Sequence, residues 1–206
     1  MANTTFNGPV RSENGFQQIS KNATTGTITV TSGDKMATEA TASAGIEGTA
    51  AVYVTQVNRL KSDVDTNVNI VKTTIMIDLT GLKDGGTAGD IIGKDGSGVA
   101  FIGKVTTANQ GTVFGVTMTC LETPAGGSTD IDLFSATEGT GVNDTAIGDL
   151  TETQIINAGA ASAGTVVAGG DIVADQFLYL VSQGTGDATY TAGRFLIEIT
   201  GFDAAS

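Results

Sequence analysis

Histidine and tryptophan are absent from this 206-residue chain, which has one cysteine and only two prolines. Each absence closes a route. Without histidine the chain cannot form a Ser-His-Asp triad, a Cys-His pair, an H-E-x-x-H zinc site or an imidazole general base. The single cysteine, Cys120, excludes an intrachain disulfide framework and a multi-cysteine zinc site. Its setting "VFGVTMTCL" places Phe114, Val116, Met118 and Cys120 on one side of an alternating strand, which predicts a buried, inert thiol. No apolar run approaches the roughly 20 residues of a membrane-spanning helix, so no membrane partner is expected. Basic residues are few as well: 10 Lys and Arg stand against 22 Asp and Glu, giving a formal charge of −12 with the acids scattered along the chain. Such a surface repels phosphate, and nucleic acid is not expected as a partner.

What is abundant is threonine, which outnumbers even the 29 glycines, while Lys, Arg, Glu and Leu are scarce. That mixture favours strands and turns. "TGTITVTSG" alternates around Ile28 and Val30, residues 34–49 are small and loop-like, and "AAVYVTQV" is the next strand. "NVNIVKTTIMIDLTGL" then divides cleanly. Val71, Thr73, Ile75, Ile77 and Leu79 share one face, and Ile70, Lys72, Thr74, Met76 and Asp78 share the other. "VAFIGKVT" and "TVFGVTMTCLE", joined by "TANQG", predict a hairpin, and "IDLFSAT" a short alternating strand. The one helix signal is "DLTETQIINAG", with Asp149 as N-cap, Glu152 completing a capping box and Gly159 as the stop.

Near the end, "DQFLYLVSQG" and "RFLIEITGF" flank "TGDATYTAG", which predicts a long hairpin. Its first strand is apolar on both faces, Phe177, Tyr179 and Val181 on one and Leu178 and Leu180 on the other. Either a central strand or a strand facing another subunit explains that. Together these segments predict an all-β fold, an antiparallel sandwich or jelly-roll-like barrel with Gly/Thr-rich loops. It forms a single domain over residues 21–206, preceded by an extended N-terminal arm over residues 1–20.

With histidine chemistry closed, carboxylate chemistry stays open, because paired acids can hydrolyse glycosides. The candidate pairs are Asp63 with Asp65, Asp130 with Asp132, and Asp84 with Asp90, though close acids in an acidic β protein are more often turn caps or solvated faces. "DVDTNVN" (Asp63, Asp65, Asn67, Asn69) copies the start of a calcium loop. It fails as an EF-hand, since Val68 stands where Gly is needed and Thr74 where the bidentate Glu belongs. A looser cation site there or at "GDIIGKDGSG" competes with the ordinary reading of such residues as loop. "KDGGTAGD", "GKDGSG" and "GTGD" match no phosphate-binding pattern and read as turns. Neither catalysis nor a cofactor or resident metal is expected.

The opening "MANTTFNGPVRSENGF" has no basic stretch followed by an apolar run, so it is expected to be retained, bent at Asn7-Gly8-Pro9 and Asn14-Gly15. This opening and the phrases "TTIMIDLTGL", "AGDIIG", "MTCLETPAGGSTDIDL", "ATEGTGVNDTAI", "LTETQ" and "DQFLYLVSQG…YTAGRFLIEITGF" resemble virion structural proteins of tailed phages from marine and freshwater bacteria. The resemblance implies a capsid decoration or cement protein, made in the host cytoplasm and carried on the outer surface of the capsid. Its implied partners are the major capsid protein and other copies of the chain in a homotrimer. Phe6, Val10, Arg11 and Phe16, the sizeable anchors of the arm, are the candidate capsid or subunit contacts. A tail or fibre component that binds host glycans is the alternative, though it usually shows clustered aromatic residues and this chain has 5%.

Overall fold

The computed structural model describes residues 19–21, 28–30, 43, 45–46, 51–60, 68–96, 98–170 and 172–204. The chain divides into two compact units, Met1–Lys35 and Met36–Ser206. In the first unit β1 (Ile19–Lys21) pairs antiparallel with β2 (Ile28–Val30). Phe6, Val10, Arg11 and Phe16 lie outside the described residues, as do Asp63, Asp65 and Asn67.

The second unit is nearly all β. Its strands are β3 (Ala51–Leu60), β4 (Val68–Asp78), β5 (Asp90–Ile91), β6 (Gly103–Lys104), β7 (Thr112–Ala125), β8 (Ile131–Ala136), β9 (Glu152–Ile156), β10 (Val166–Gly169), β11 (Phe177–Ser182) and β12 (Ala192–Ala204). They form two antiparallel sheets packed around one apolar core, one ordered β10-β7-β12-β4-β3 and the other β5-β11-β8-β9, with β6 also paired to β11. This is a sandwich arrangement; the strand order does not define a jelly roll.

Sequence alternation explains the first sheet. Val71, Thr73, Ile75 and Ile77 of β4, and Leu79 just after it, are buried as their spacing predicts, and Phe195, Ile197 and Ile199 of β12 stand opposite Ile77, Ile75 and Thr73. β-Branched and aromatic side chains fit such cross-strand positions, and each fully buried one contributes about 1.5–3 kcal/mol. The second sheet works differently. Every residue of β8 is buried, so the alternation of its sequence does not separate a buried face from an exposed one, and β11 is buried from Leu178 to Ser182. β11 runs between β8 on one side and β5 and β6 on the other, which is the central-strand explanation of its two apolar faces.

Loops cover the face of β11 that carries Phe177 and Tyr179. Phe101 packs its ring 4.9 Å from that of Phe177, and the Tyr179 hydroxyl donates to the Glu138 carbonyl at 2.8 Å. A Cβ at residue 141 would lie 2.9 Å from the Tyr179 ring, so Gly141 is what lets that loop close down. Ser43, Gly45 and Ile46 dock on the same side of the unit. Ser43 and Gly45 donate backbone hydrogen bonds to Phe101 and Val99, and Ile46 is buried.

Three expectations need correction. The final hairpin does not form: β11 and β12 belong to different sheets, and "TGDATYTAG" crosses between them, pinned by the buried ring of Tyr190. The "TANQG" hairpin is replaced by a helical turn, α1 (Thr107–Gln110), capped by the Thr106 hydroxyl. It carries the chain from β6, paired to β11, into β7 of the other sheet. Gln110 is buried there, its side-chain oxygen accepting from the Thr106 amide at 2.8 Å and its amide nitrogen 3.4 Å from the Thr73 hydroxyl. The helix beginning at Asp149 is instead a 3-10 turn (Ile147–Asp149) followed by strand β9. β9 pairs with β8 with a shift in register next to Ile155, so Ile155 and Ile156 are both buried. Burial of consecutive isoleucines against a sheet outweighs a capping signal of about 1 kcal/mol.

Candidate functional surface

The described acidic pairs are committed to backbone geometry. Asp84 is 1% exposed and accepts from the amides of Ala188 at 2.7 Å and Ser128 at 2.8 Å, so one carboxylate fastens three loops. Tyr190 closes over it and donates to the Ser128 carbonyl at 3.1 Å; burial first, and then the Asp84 charge, push the phenol well above its ordinary pKa. Asp90 accepts from the Thr87 amide at 2.7 Å and closes the turn that leads into β5. Asp132 receives the Gln154 side-chain amide at 2.8 Å and the Ala158 amide at 2.9 Å. These are the turn-cap roles that compete with catalysis for such residues.

Asp130 differs. Its Oδ1 is buried without a hydrogen-bond partner, and burial first, with the Asp132 charge second, raises its pKa above the usual carboxylate value. The glycine stretches behave as turns, with positive φ at Gly85, Gly89 and Gly96. Within "GDIIGKDGSG", Ile91 and Ile92 are core residues, and Asp95 pairs with Lys83 at 3.2 Å. Among the described residues no three His, Cys, Asp or Glu side chains come together as a metal would need. Cys120 is buried as expected. Its Sγ lies 3.2 Å from the Glu122 carbonyl, and burial raises the thiol's pKa and so disfavours the reactive thiolate.

The most distinctive surface is the outer face of the sheet β10-β7-β12-β4-β3. Register places Val166, Thr119, Leu196 and Met76 in one row across four strands, and Ala168, Thr117, Glu198 and Thr74 in the next. Farther along, Thr112, Phe202 and Ile70 form another row. Large apolar side chains stand open on these strands: Val166 is 62% exposed, Phe114 54%, Leu121 46%, Met76 39% and Phe202 36%. The Phe114 and Phe202 rings lie 6.3 Å apart. At one end Arg194 pairs with Asp78 at 3.0 Å and approaches Glu122 at 3.5 Å, and near the middle Lys72 pairs with Glu198.

Phe114 is a departure from the sequence pattern, which grouped it with Val116, Met118 and Cys120. Those three are buried and Phe114 is not. The cause is a bulge: Thr200 faces Gly115 and Gly201 faces Val113, leaving Phe114 without an opposite residue. The extra residue reverses the in-out parity, turning Val113 toward the core and Phe114 toward solvent. A signal for this exists in the sequence, because Phe114 and Phe202 each adjoin a glycine within an alternating strand, and glycine there marks bulges and close approaches. Gly201 fits that rule, since a Cβ would collide with the Gln110 carbonyl.

Comparison with protein-family models, curated proteins and solved structures found no match to this chain.

Proposed function

We propose that this chain is a non-enzymatic virion structural protein that decorates the outside of a phage capsid and stabilises the shell. It would bind the major capsid protein and assemble as a homotrimer, after synthesis in the host cytoplasm. The observation that carries this reading is the sequence resemblance, and its phrases coincide with framework elements. "TTIMIDLTGL" supplies the buried side of β4, "MTCLETPAGGSTDIDL" links β7 to β8, and "DQFLYLVSQG…YTAGRFLIEITGF" contains β11, the Tyr190 crossing and most of β12. The phrases that carry the resemblance thus fall on the scaffold of this chain.

Physical chemistry supports the role. A charge of −12 keeps a high-copy coat protein soluble and away from a packaged genome. The carboxylates Asp84, Asp90 and Asp132 fasten loops to a β framework, as suits a part that must stay folded rather than turn over a substrate. In this reading the arm with Phe6, Val10, Arg11 and Phe16 lies along a neighbouring capsid subunit. Cryo-electron microscopy of intact particles tests it: density over the capsid lattice is the expected result, and density confined to the tail or interior overturns it. Removing residues 2–16 should then weaken attachment to heads.

One observation favours a tail or fibre role instead, the exposed Phe114 and Phe202 pair, because aromatic rings stack on sugar faces. Glycan-array binding that disappears on Phe202→Ser would support it.

A further inference from the structure

We infer that the outer face of the sheet β10-β7-β12-β4-β3 is where another copy of this chain docks, with Phe114 and Phe202 as anchors toward one end of the contact and Leu196 and Met76 toward the other. The inference rests on the oligomer reading above and assigns it a surface. Three observations converge on one occupant. The first is extent. Five strands at about 4.8 Å spacing, with the eleven residues of β4 at about 3.3 Å each, give a face of roughly 850 Å², and each partner in a standard protein interface contributes about 800 Å².

The second is charge. Two copies of a chain at −12 repel each other over most of their surfaces. Among the described side chains of β4, β7, β10 and β12, this face carries two cations, Lys72 and Arg194, against three anions, Asp78, Glu122 and Glu198, for a net −1. The cations already sit beside the anions, so another copy of the chain can approach this face with little repulsion. A strongly basic partner would find far more attraction elsewhere on the molecule.

The third is composition. Besides the ion pairs the face carries half-buried Thr117, Thr119 and Thr74 and exposed Ala168 and Val166, with the larger exposed Phe114, Leu121 and Met76, an uncharged surface with few long flexible groups to immobilise. Aromatic and Met enrichment with charge confined to the margins and to paired groups is the composition of interface centres.

Sedimentation velocity of the full chain across micromolar concentrations tests the assignment. The expected result is a species of more than one chain that the double substitution Phe114→Ser with Phe202→Ser weakens by about 100-fold or more, the scale at which aromatic anchors act. A chain that stays monomeric throughout, or a double variant that assembles as the original does, overturns it. Thr117→Cys supplies a readout that does not depend on that variant folding. Its thiol should react slowly with an aqueous maleimide in the assembled protein and quickly on dilution, while equal rates at both concentrations overturn the docking face. Particle imaging separates this from the virion role, because a monomer that still decorates heads removes only the docking face, and an oligomer absent from particles removes only the decoration role.

Discussion

The two sheets of the larger unit are built from similar residues and yet use them in opposite ways. In β10-β7-β12-β4-β3 the strands β7, β12 and β4 are long, alternate apart from the irregularities between β7 and β12, and turn one face outward, so about half of their residues specify the core. In β5-β11-β8-β9 the strands are short, and β8 and most of β11 are buried on both faces. The difference lies outside the strands. Loops closed by Gly141, Phe101 and the Asp84 cap lie over or beside the second sheet, and the first sheet has no such cover on the strands whose exposure is described. An uncovered face is therefore where binding can evolve without disturbing the core.

Substitution should expose that contrast most strongly at equivalent leucines. Leu180→Ala, in the doubly buried strand, is expected to cost about 3–4 kcal/mol in urea unfolding, whereas Leu121→Ala on the open face should stay within about 0.5 kcal/mol. Comparable losses at the two sites would remove the distinction between the sheets. Next in size is the cap. Asp84→Ala leaves the Ala188 and Ser128 amides without their acceptor and should cost about 2–3 kcal/mol, with increased hydrogen exchange localised to those loops.

The smallest effect concerns Asp130, whose neighbour Asp132 holds two donors while its own Oδ1 holds none. The folded pKa of Asp130 is raised above the ordinary 3.8, so the folded chain binds this proton more readily than the unfolded one. Its contribution to stability is full below that ordinary value and is lost as pH rises through the raised one. The Asp130→Asn variant lacks this slope. Stability measured against pH should show the wild type losing ground to the variant across that window and running parallel to it above.

Much of this arrangement was legible in the sequence, and the remainder failed for specific reasons. Alternation reported faces accurately in β4, in β12 and in Val116, Met118 and Cys120, because side-chain direction is a local property. It said nothing about neighbours. "DQFLYLVSQG" and "RFLIEITGF" are both strands, but whether they pair depends on β4 and β7, more than 60 residues away in sequence, which already flank β12. The bulge at Phe114 reverses parity with a single residue, and the capping pattern at Asp149 lost to burial of Ile155 and Ile156. Among the candidate acids, close spacing was visible while the amides that Asp84 and Asp132 accept from come from distant loops.

β12 is the last strand in the described sequence and yet lies at the middle of its sheet, between β4 and β7. During vectorial synthesis, then, β4 and β7 leave the ribosome with their inner edges unpaired and remain so until residues 192–204 emerge. The sheet can close only after residues 192–204 have been made, and no nascent fragment that stops short of them contains its central strand. Folding of this unit therefore waits on its last described strand, with an interval in which the unpaired backbone edges of β4 and β7 are open to chaperones and to neighbouring nascent chains.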